Sequence, residues 1–287
     1  MITVLVVVLN VLPGCGEQAT YLPGTVATQT IINKGSDTMV NLALAWAEAY
    51  TVQQPEVRIS VTGGGSGTGI AALINGTVDI ANASRAMKPE EVEKARANGI
   101  EPVEHIVAGD AIAVVVNPTN PVSALTIDQL SDIFIGRVTN WSEVGGENRP
   151  VVLLSRESNS GTHIYFLENV IRKGEKDNQR LFSPDTLLMP SSEGISVEVR
   201  QNPNAIGYDG LGYVTPDQKT IAVAHRAGEP YIPPSIETVK DGSYPIARSL
   251  YMYTSGPPAG IIREYLDWIT SAEGQEIVKE LGFVPLR

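Results

Sequence analysis

Short apolar runs alternate with segments of helical periodicity from Thr30 to the end of the chain. The first run is centred on Ile31 and stops at Gly35, and apolar residues then recur at helical spacing up to Gln54. A second strand is predicted over residues 57–61 and a third over 78–81, each followed by a helical segment. Strands that alternate with helices in this way predict an α/β architecture.

The same alternation continues through the second half of the chain. Further strands are predicted at 151–154, 205–208, 220–224 and 244–253, and further helices at 163–172, 261–269 and 274–281. Two strands, 104–107 and 111–116, are predicted on either side of Gly109 and Asp110, and they carry the chain from a first lobe into a second. At 287 residues the chain exceeds the roughly 100–200 residues of one domain. We therefore predict lobe I over 31–109 and 244–287, and lobe II over 110–243.

Three of the predicted strands end in loops of small hydrogen-bond donors. These loops are Gly35 to Thr38, Gly63 to Gly69 and Ser155 to Thr162, and each leads into a helix. Glycine allows close backbone approach, hydroxyls donate, and a first helical turn has free N–H groups. Ligands of open α/β sheets bind at these carboxyl ends of strands. Donors with few acceptors, one of them the guanidinium of Arg156, indicate a site for a multiply charged oxyanion.

The overall charge limits the kind of anion that the chain can bind. The chain has 21 Lys and Arg residues against 32 Asp and Glu residues, a net charge of −11. Nucleic acids bind through surplus positive charge, so this balance argues against a nucleic-acid partner. Any anion site must therefore be local.

The first 14 residues are interpreted as a lipoprotein signal peptide. Ile2 to Val11 is almost entirely apolar, too short for a spanning helix of ~20 residues, and is followed by Cys15. Cys15 is the only cysteine, so it is available for lipidation, and residues 15–30 are predicted to form a tether. The alternative is a buried N-terminal strand, and no Lys or Arg precedes the apolar run.

Enzyme motifs are incomplete at the same positions. Gly63 to Gly69 lacks the lysine of a nucleoside-triphosphate loop, and Thr68 stands where a nucleophile elbow at Ser66 needs glycine. The three histidines, His105, His163 and His225, have no metal-ligand spacing. The sequence thus predicts no catalytic residue, no metal and no cofactor.

Four segments together resemble the phosphate-binding lipoproteins of bacterial phosphate ABC transporters, in the type II periplasmic-binding-protein superfamily. They are Gly35 to Thr38, Gly63 to Gly69, Thr77 to Ile80 running on to Ala83–Arg85, and Arg156 with Ser160 to Thr162. The resemblance extends from about Ile31 to the C-terminus. It implies two lobes, each a mixed sheet flanked by helices, joined by two crossing strands and closing around a dehydrated phosphate. The implied partners are inorganic phosphate, a permease and, through the lipid, the membrane outside the cytoplasm; such proteins usually act as monomers.

The resemblance also implies which residues bind phosphate. Thr38 matches the hydroxyl of the first loop, and Ser66 matches the serine of the glycine loop. The second-lobe arginine and its Ser-Gly-Thr donors correspond to Arg156, Ser160, Gly161 and Thr162. Ser36, Asp37, Ser84 and Arg85, in the first and third loops, complete the candidate set.

Arg85 departs from the pattern of the family. Known members have an aspartate after the serine of the third loop, which accepts a proton from phosphate and so rejects sulfate. Arg85 would add a donor instead, or form an ion pair. We hypothesise that Asp37 replaces the missing acceptor; alternatively, Asp37 only caps the following helix. Two other functions stay open, a binder of sulfate, molybdate or tungstate and a phosphate-ester hydrolase.

Overall fold

The computed structural model describes residues 29–286 of the chain. Within this range, strands and helices alternate as the apolar pattern predicts. The strands are β1 (Gln29–Gly35), β2 (Val57–Thr62), β3 (Ile80–Ala83), β4 (Val103–Val116), β5 (Ala124–Thr126), β6 (Val152–Arg156), β7 (Leu187–Met189), β8 (Ala205–Gly210), β9 (Lys219–Thr220), β10 (Ala222–Ala224) and β11 (Ala247–Thr254). The helices are α1 (Val40–Gln53), α2 (Ser66–Ile74), α3 (Pro89–Ala97), α4 (Ile127–Phe134), α5 (Gly161–Phe166), α6 (Ser192–Gln201), α7 (Ile236–Lys240), α8 (Gly260–Ile269) and α9 (Ala272–Glu280).

The strands form a mixed sheet in the order β2-β1-β3-β11-β4-β8-β6-β7, with β9 beside β4 and a small separate pair of β10 and β5. β1 pairs in parallel with β2 and β3, and β6 pairs in parallel with β7 and β8. β4 belongs to both halves, because its first part pairs with β11 and its second part pairs with β8. Together, β4 and β11 connect the two lobes, which confirms the predicted two-lobed α/β fold. The exact lobe boundaries stay a prediction.

The prediction of two strands around Gly109 and Asp110 is wrong, since β4 is continuous from Val103 to Val116. Gly109 and Asp110, which interrupt the apolar pattern, both have partners in the folded chain. The Gly109 N–H donates to the Val284 carbonyl at 2.7 Å, and the Val284 N–H donates to the Gly109 carbonyl at 2.9 Å. The Asp110 carboxylate pairs with Arg248 on the neighbouring strand. A buried charge is tolerated in a strand when a cation compensates it.

Each lobe has its own apolar core. In lobe I, Ile31 of β1 packs with Leu42 and Trp46 of α1. In lobe II, Phe134 and Phe166 pack against Tyr208. Each half of the large sheet thus packs against helices, and residues that follow its parallel strands, such as Thr38 and Thr162, meet between the two lobes.

A capping box at Thr126 begins α4. Its hydroxyl accepts from the Gln129 N–H at 3.1 Å, and the Gln129 side chain accepts from the Thr126 N–H at 2.9 Å. No helix between residues 29 and 286 is long and apolar enough to cross a bilayer. The predicted signal peptide, Cys15 and nearly all of the tether lie outside the described residues.

Candidate functional site

The three donor loops stand at the ends of β1, β2 and β6. β1 ends at Gly35 and continues into a 3-10 turn, Asp37–Met39, ahead of α1. β2 leads to α2, which begins at Ser66, and β6 leads to α5 through Ser160. The first two loops belong to lobe I and the third to lobe II, so an enclosed ligand would receive donors from both sides.

Thr38 and Thr162 connect the two lobes directly. Their hydroxyl oxygens lie 2.8 Å apart, and both side chains are almost completely buried. Because Thr38 follows β1 in lobe I and Thr162 lies in α5 of lobe II, this contact joins the two lobes. This arrangement, with the lobes in contact, is the closed one.

Gly161 lies against two serines of the opposite lobe. A β-carbon added to Gly161 would be 2.4 Å from Ser66 Oγ and 2.6 Å from Ser84 Oγ, closer than any real contact. Ser66 Oγ also accepts a hydrogen bond from the Ser84 N–H at 2.9 Å. Ser160 caps α5, its hydroxyl accepting from the Thr162 N–H at 3.2 Å. The structure thus brings Ser66, Ser84, Ser160 and Gly161 together with the two threonines.

Arg156 lies at the end of β6 with only 1% of its surface exposed. Its Nη1 donates to the hydroxyl of Ser192 at 2.8 Å and its Nη2 donates to the carbonyl of Pro190 at 3.1 Å. Nη2 also lies 3.0 Å from Oδ2 of Asp37, in the opposite lobe. Residues of lobe II therefore hold the guanidinium in place, and a carboxylate of lobe I neutralises it when the cleft is closed.

Asp37 and Ser36 do not cap α1 with their side chains. Ser36 makes no capping bond, and its buried hydroxyl has no partner among the described residues. Asp37 Oδ2 accepts from the Ser192 N–H at 2.8 Å, in addition to its ion pair with Arg156. Asp37 is thus a contact between the lobes, a role that neither interpretation of the sequence included.

Arg85 is bound by Glu91 rather than by the donor loops. Its Nη1 and Nη2 each donate to one carboxylate oxygen of Glu91 at 2.7 Å, and Nη1 also bonds the carbonyl of Ala86. Although burial works in the opposite direction, the Arg85 guanidinium keeps the pKa of Glu91 below its usual value. These contacts support the ion-pair interpretation, but the buried Nε of Arg85 has no partner among the described residues, so a role of Arg85 as a donor to the anion stays a prediction.

The structure places four polar residues at the site that sequence reasoning missed. Arg248 on β11 donates to Thr162 Oγ1 at 3.0 Å and pairs with Asp110 on β4. Ser192 begins α6 and links Arg156 to Asp209, whose Oδ1 accepts from its hydroxyl at 2.8 Å. The one available signal was an acidic residue at the end of an apolar strand, as in Asp209 followed by Gly210.

Asp209 is completely buried, and its Oδ2 has no partner among the described residues. Burial raises the pKa of Asp209 to about 6, although Arg156, the Ser192 hydroxyl and the Gly210 N–H oppose the rise. The folded protein therefore binds this proton more tightly than the unfolded chain does, and the associated stability is lost as pH rises from about 4 to about 6.

We expect Asp209→Asn to reduce that loss, because asparagine keeps the Oδ1 acceptor but does not titrate. Urea unfolding of the wild type and the variant at several pH values between about 4 and 7 measures how the free energy of unfolding of each depends on pH. Asp110, whose pKa burial also raises, still titrates in both proteins, and its charge is one of the causes that raise the pKa of Asp209, so a part of the slope remains in the variant. Equal slopes of unfolding free energy against pH would contradict the assignment to Asp209.

Asn159 bridges the mouth of the cleft. Its carbonyl accepts from the Gly67 N–H at 3.0 Å, and its side-chain amide donates to the Gly64 carbonyl at 2.9 Å. These bonds join the glycine loop of lobe I to the loop after β6 in lobe II. Together with Thr38 and Thr162, they enclose the cleft from two sides.

The described part of the chain contains no candidate metal cluster. Its His, Cys, Asp and Glu side chains form no group of three or more that would hold a metal ion. Ser155 Oγ lies 3.0 Å from His163 Nδ1, but the serine is completely buried. What the cleft offers is a set of oriented hydrogen-bond donors.

A family model described as the PBP superfamily domain matches residues 23–273. The phosphate-binding protein PstS of Pseudomonas aeruginosa is 34% identical over 93% of this chain and 86% of its own length. PstS of Bacillus subtilis is 32% identical over 91% of this chain and 82% of its own length. The chain therefore belongs to the PBP superfamily and, within it, to the family of phosphate-binding proteins that includes PstS. This confirms the resemblance predicted from the sequence.

Solved structures give the same result. A phosphate-bound crystal structure from Clostridium perfringens, assigned to a phosphate ABC transporter substrate-binding protein, superposes with a TM-score of 0.80 at 31% identity, covering 90% of this chain and 100% of that one. An ABC-type phosphate transport receptor of Vibrio cholerae superposes with a TM-score of 0.70 at 28% identity, covering 88% and 99%.

Proposed function

We propose that this chain is an extracytoplasmic substrate-binding protein that captures inorganic phosphate between its lobes and delivers it to an ABC permease. The observation that carries the proposal is the contact of Thr38 with Thr162, which brings hydroxyl donors of both lobes to one point. Its relatives from Pseudomonas aeruginosa and Bacillus subtilis are named phosphate-binding proteins.

The anion is bound mainly by neutral donors. Each nearby guanidinium already has a carboxylate partner, Asp37 for Arg156 and Asp110 for Arg248. The proposed phosphate ligands are Thr38, Ser66, Ser84, Ser160, Gly161 and Thr162, with Arg156 as the charged donor and Ser36 and Asp37 beside them. Hydrogen bonds to an ionised oxygen in a buried site are stronger than those between neutral groups, so such a set can hold a dehydrated anion.

The remaining features of this proposal concern the location and assembly of the protein. Lipidation at Cys15 would tether a monomeric binder to the bacterial membrane, in the periplasm or at the cell surface, with residues 15–30 as the spacer. Hinge motion between the lobes, about the crossing strands β4 and β11, would admit and release phosphate. No bond is made or broken in this mechanism.

Calorimetric titration tests the proposed function. Protein lacking residues 1–14 and the lipid is unfolded and refolded to remove any anion that copurifies, then titrated with phosphate, sulfate and molybdate. We expect tight phosphate binding at one site and no heat from sulfate. If the protein prefers sulfate or molybdate, that anion is its ligand instead of phosphate. If it hydrolyses a chromogenic phosphomonoester, the alternative of a phosphate-ester hydrolase is favoured.

Asp37→Asn tests whether Asp37 accepts the proton of phosphate. Its Oδ2 is occupied by Arg156 and Ser192, so an accepting role falls to Oδ1. If Asp37 is the acceptor, the substitution lowers the affinity for phosphate and raises that for sulfate, since sulfate has no proton to donate. Competition titrations measure both affinities, with the exposed Asp267→Asn as the control. An unchanged preference for phosphate over sulfate would refute the acceptor hypothesis.

A further inference from the structure

Arg248 is the second buried guanidinium of the cleft, and it lies on a crossing strand rather than on a donor loop. It is directly opposite Asp110 in the pairing of β11 with β4. Its Nε and Nη2 donate to Asp110 Oδ2 at 3.1 and 2.8 Å, and only 2% of its side chain is exposed. Asp110 also accepts from the Leu211 N–H at 3.1 Å. The ion pair is therefore held within the connection between the lobes.

The same guanidinium contacts both lobes. Its Nη1 donates to the Ser84 carbonyl at 3.0 Å in lobe I, and its Nη2 donates to Thr162 Oγ1 at 3.0 Å in lobe II. Ser84 belongs to the third loop and Thr162 to the first turn of α5. The planar guanidinium of Arg248 thus bonds β4, the third loop of lobe I and the first turn of α5 in lobe II at the same time. The forked donors of an arginine allow this geometry, and the single ammonium group of a lysine does not.

The bond to Thr162 determines the direction of the threonine hydroxyl. Arginine has donors and no acceptor, so Thr162 Oγ1 must accept from Arg248. The hydroxyl hydrogen of Thr162 is then left for a different acceptor, either Thr38 Oγ1 at 2.8 Å or an anion between the lobes. Ser66 is oriented in the same way by the Ser84 N–H, whereas the donor to Thr162 is a charged group.

We infer that Arg248 is a positioning residue, which orients Thr162 as a hydrogen-bond donor to the bound anion when the lobes close; this inference rests on the proposed function. Asp110 holds Arg248 in place and neutralises its charge. The pair therefore orients the Thr162 hydroxyl and adds no net positive charge to the anion site. Because Asp110 and Arg248 lie on paired strands, their contact does not depend on closure. The contact with Thr162 does, since α5 moves with lobe II.

A double-mutant cycle tests this inference by phosphate titration calorimetry. The proteins are wild type, Arg248→Gln, Thr162→Val and the double variant. In the wild-type background Arg248→Gln is expected to weaken binding about tenfold or more, because the donor loses its orientation. In the Thr162→Val background, where no hydroxyl remains to be oriented, the same change is expected to cost less than about threefold.

Controls separate orientation from folding. Arg263→Gln, at an exposed ion pair, should leave the affinity unchanged. Arg248→Gln leaves Asp110 buried without its cation, so a second cycle is built on Arg248→Gln with Asp110→Asn, a neutral pair of similar shape. Equal losses from the Arg248 change in both Thr162 backgrounds would overturn the inference while phosphate binding by the wild type stands. A wild type that does not bind phosphate would overturn both.

Discussion

Replacing Arg156 with alanine is expected to weaken phosphate binding by more than about 100-fold. The guanidinium is almost completely buried and bonds Ser192, Pro190 and Asp37. Its removal takes away a charged donor and leaves the Asp37 carboxylate without a cation in the closed cleft. Breaking a buried ion pair costs about 3–5 kcal/mol, well above the ~1.5–3 kcal/mol of one charged hydrogen bond. At about 1.4 kcal/mol for each tenfold change, this cost exceeds a factor of 100.

Titration calorimetry of the refolded variant measures the loss. Arg137→Ala is the matched control, because Arg137 forms an exposed ion pair with Asp132 whose contribution is small. Circular dichroism of both variants verifies that they fold. Undiminished phosphate affinity in a folded Arg156→Ala protein would refute the proposed site.

Gly161→Ala should weaken phosphate binding by about 10- to 100-fold while leaving each lobe folded. The new methyl group would lie 2.4 Å from Ser66 Oγ and 2.6 Å from Ser84 Oγ, so the closed lobes must shift apart. Overpacking of this kind costs about 1–3 kcal/mol. Because both serines belong to lobe I and Gly161 belongs to lobe II, the cost falls on closure rather than on either core.

Phosphate titration together with thermal unfolding of the ligand-free protein separates these effects. The control is Gly256→Ala, since a β-carbon at Gly256 meets nothing within 4 Å. A variant at Gly161 that binds phosphate as well as the control does would mean that the two lobes do not approach this closely in the bound state. A large fall in the melting temperature would place the clash within a lobe instead.

The sequence was informative where chemistry is local. Loops of Ser, Thr and Gly at the ends of apolar strands can be read from adjacent residues, and the structure brings Thr38, Ser66 and Thr162 to one cleft. The alternation of strands and helices likewise follows from periodicity, so the α/β class was predictable. Both depend on neighbours within a few positions of each other.

Contacts between distant segments were not predictable from one sequence. Arg248 and Asp110 are 138 residues apart, and only the register of β11 against β4 places them side by side. Ser192 was missed for a different reason. Ile195, Val197 and Val199 alternate as in a strand, yet the segment forms α6, because Ile195 and Val199 lie one helical turn apart and are both buried.

The bridge at Asn159 also bears on the rate at which the cleft exchanges its contents. Its two hydrogen bonds to the glycine loop run across the mouth of the cleft, and one of them joins backbone groups of opposite lobes. We therefore expect an anion held between the lobes to leave more slowly while this bridge is intact. Its dwell time would then depend on how often the bridge opens as well as on the strength of the anion's own hydrogen bonds.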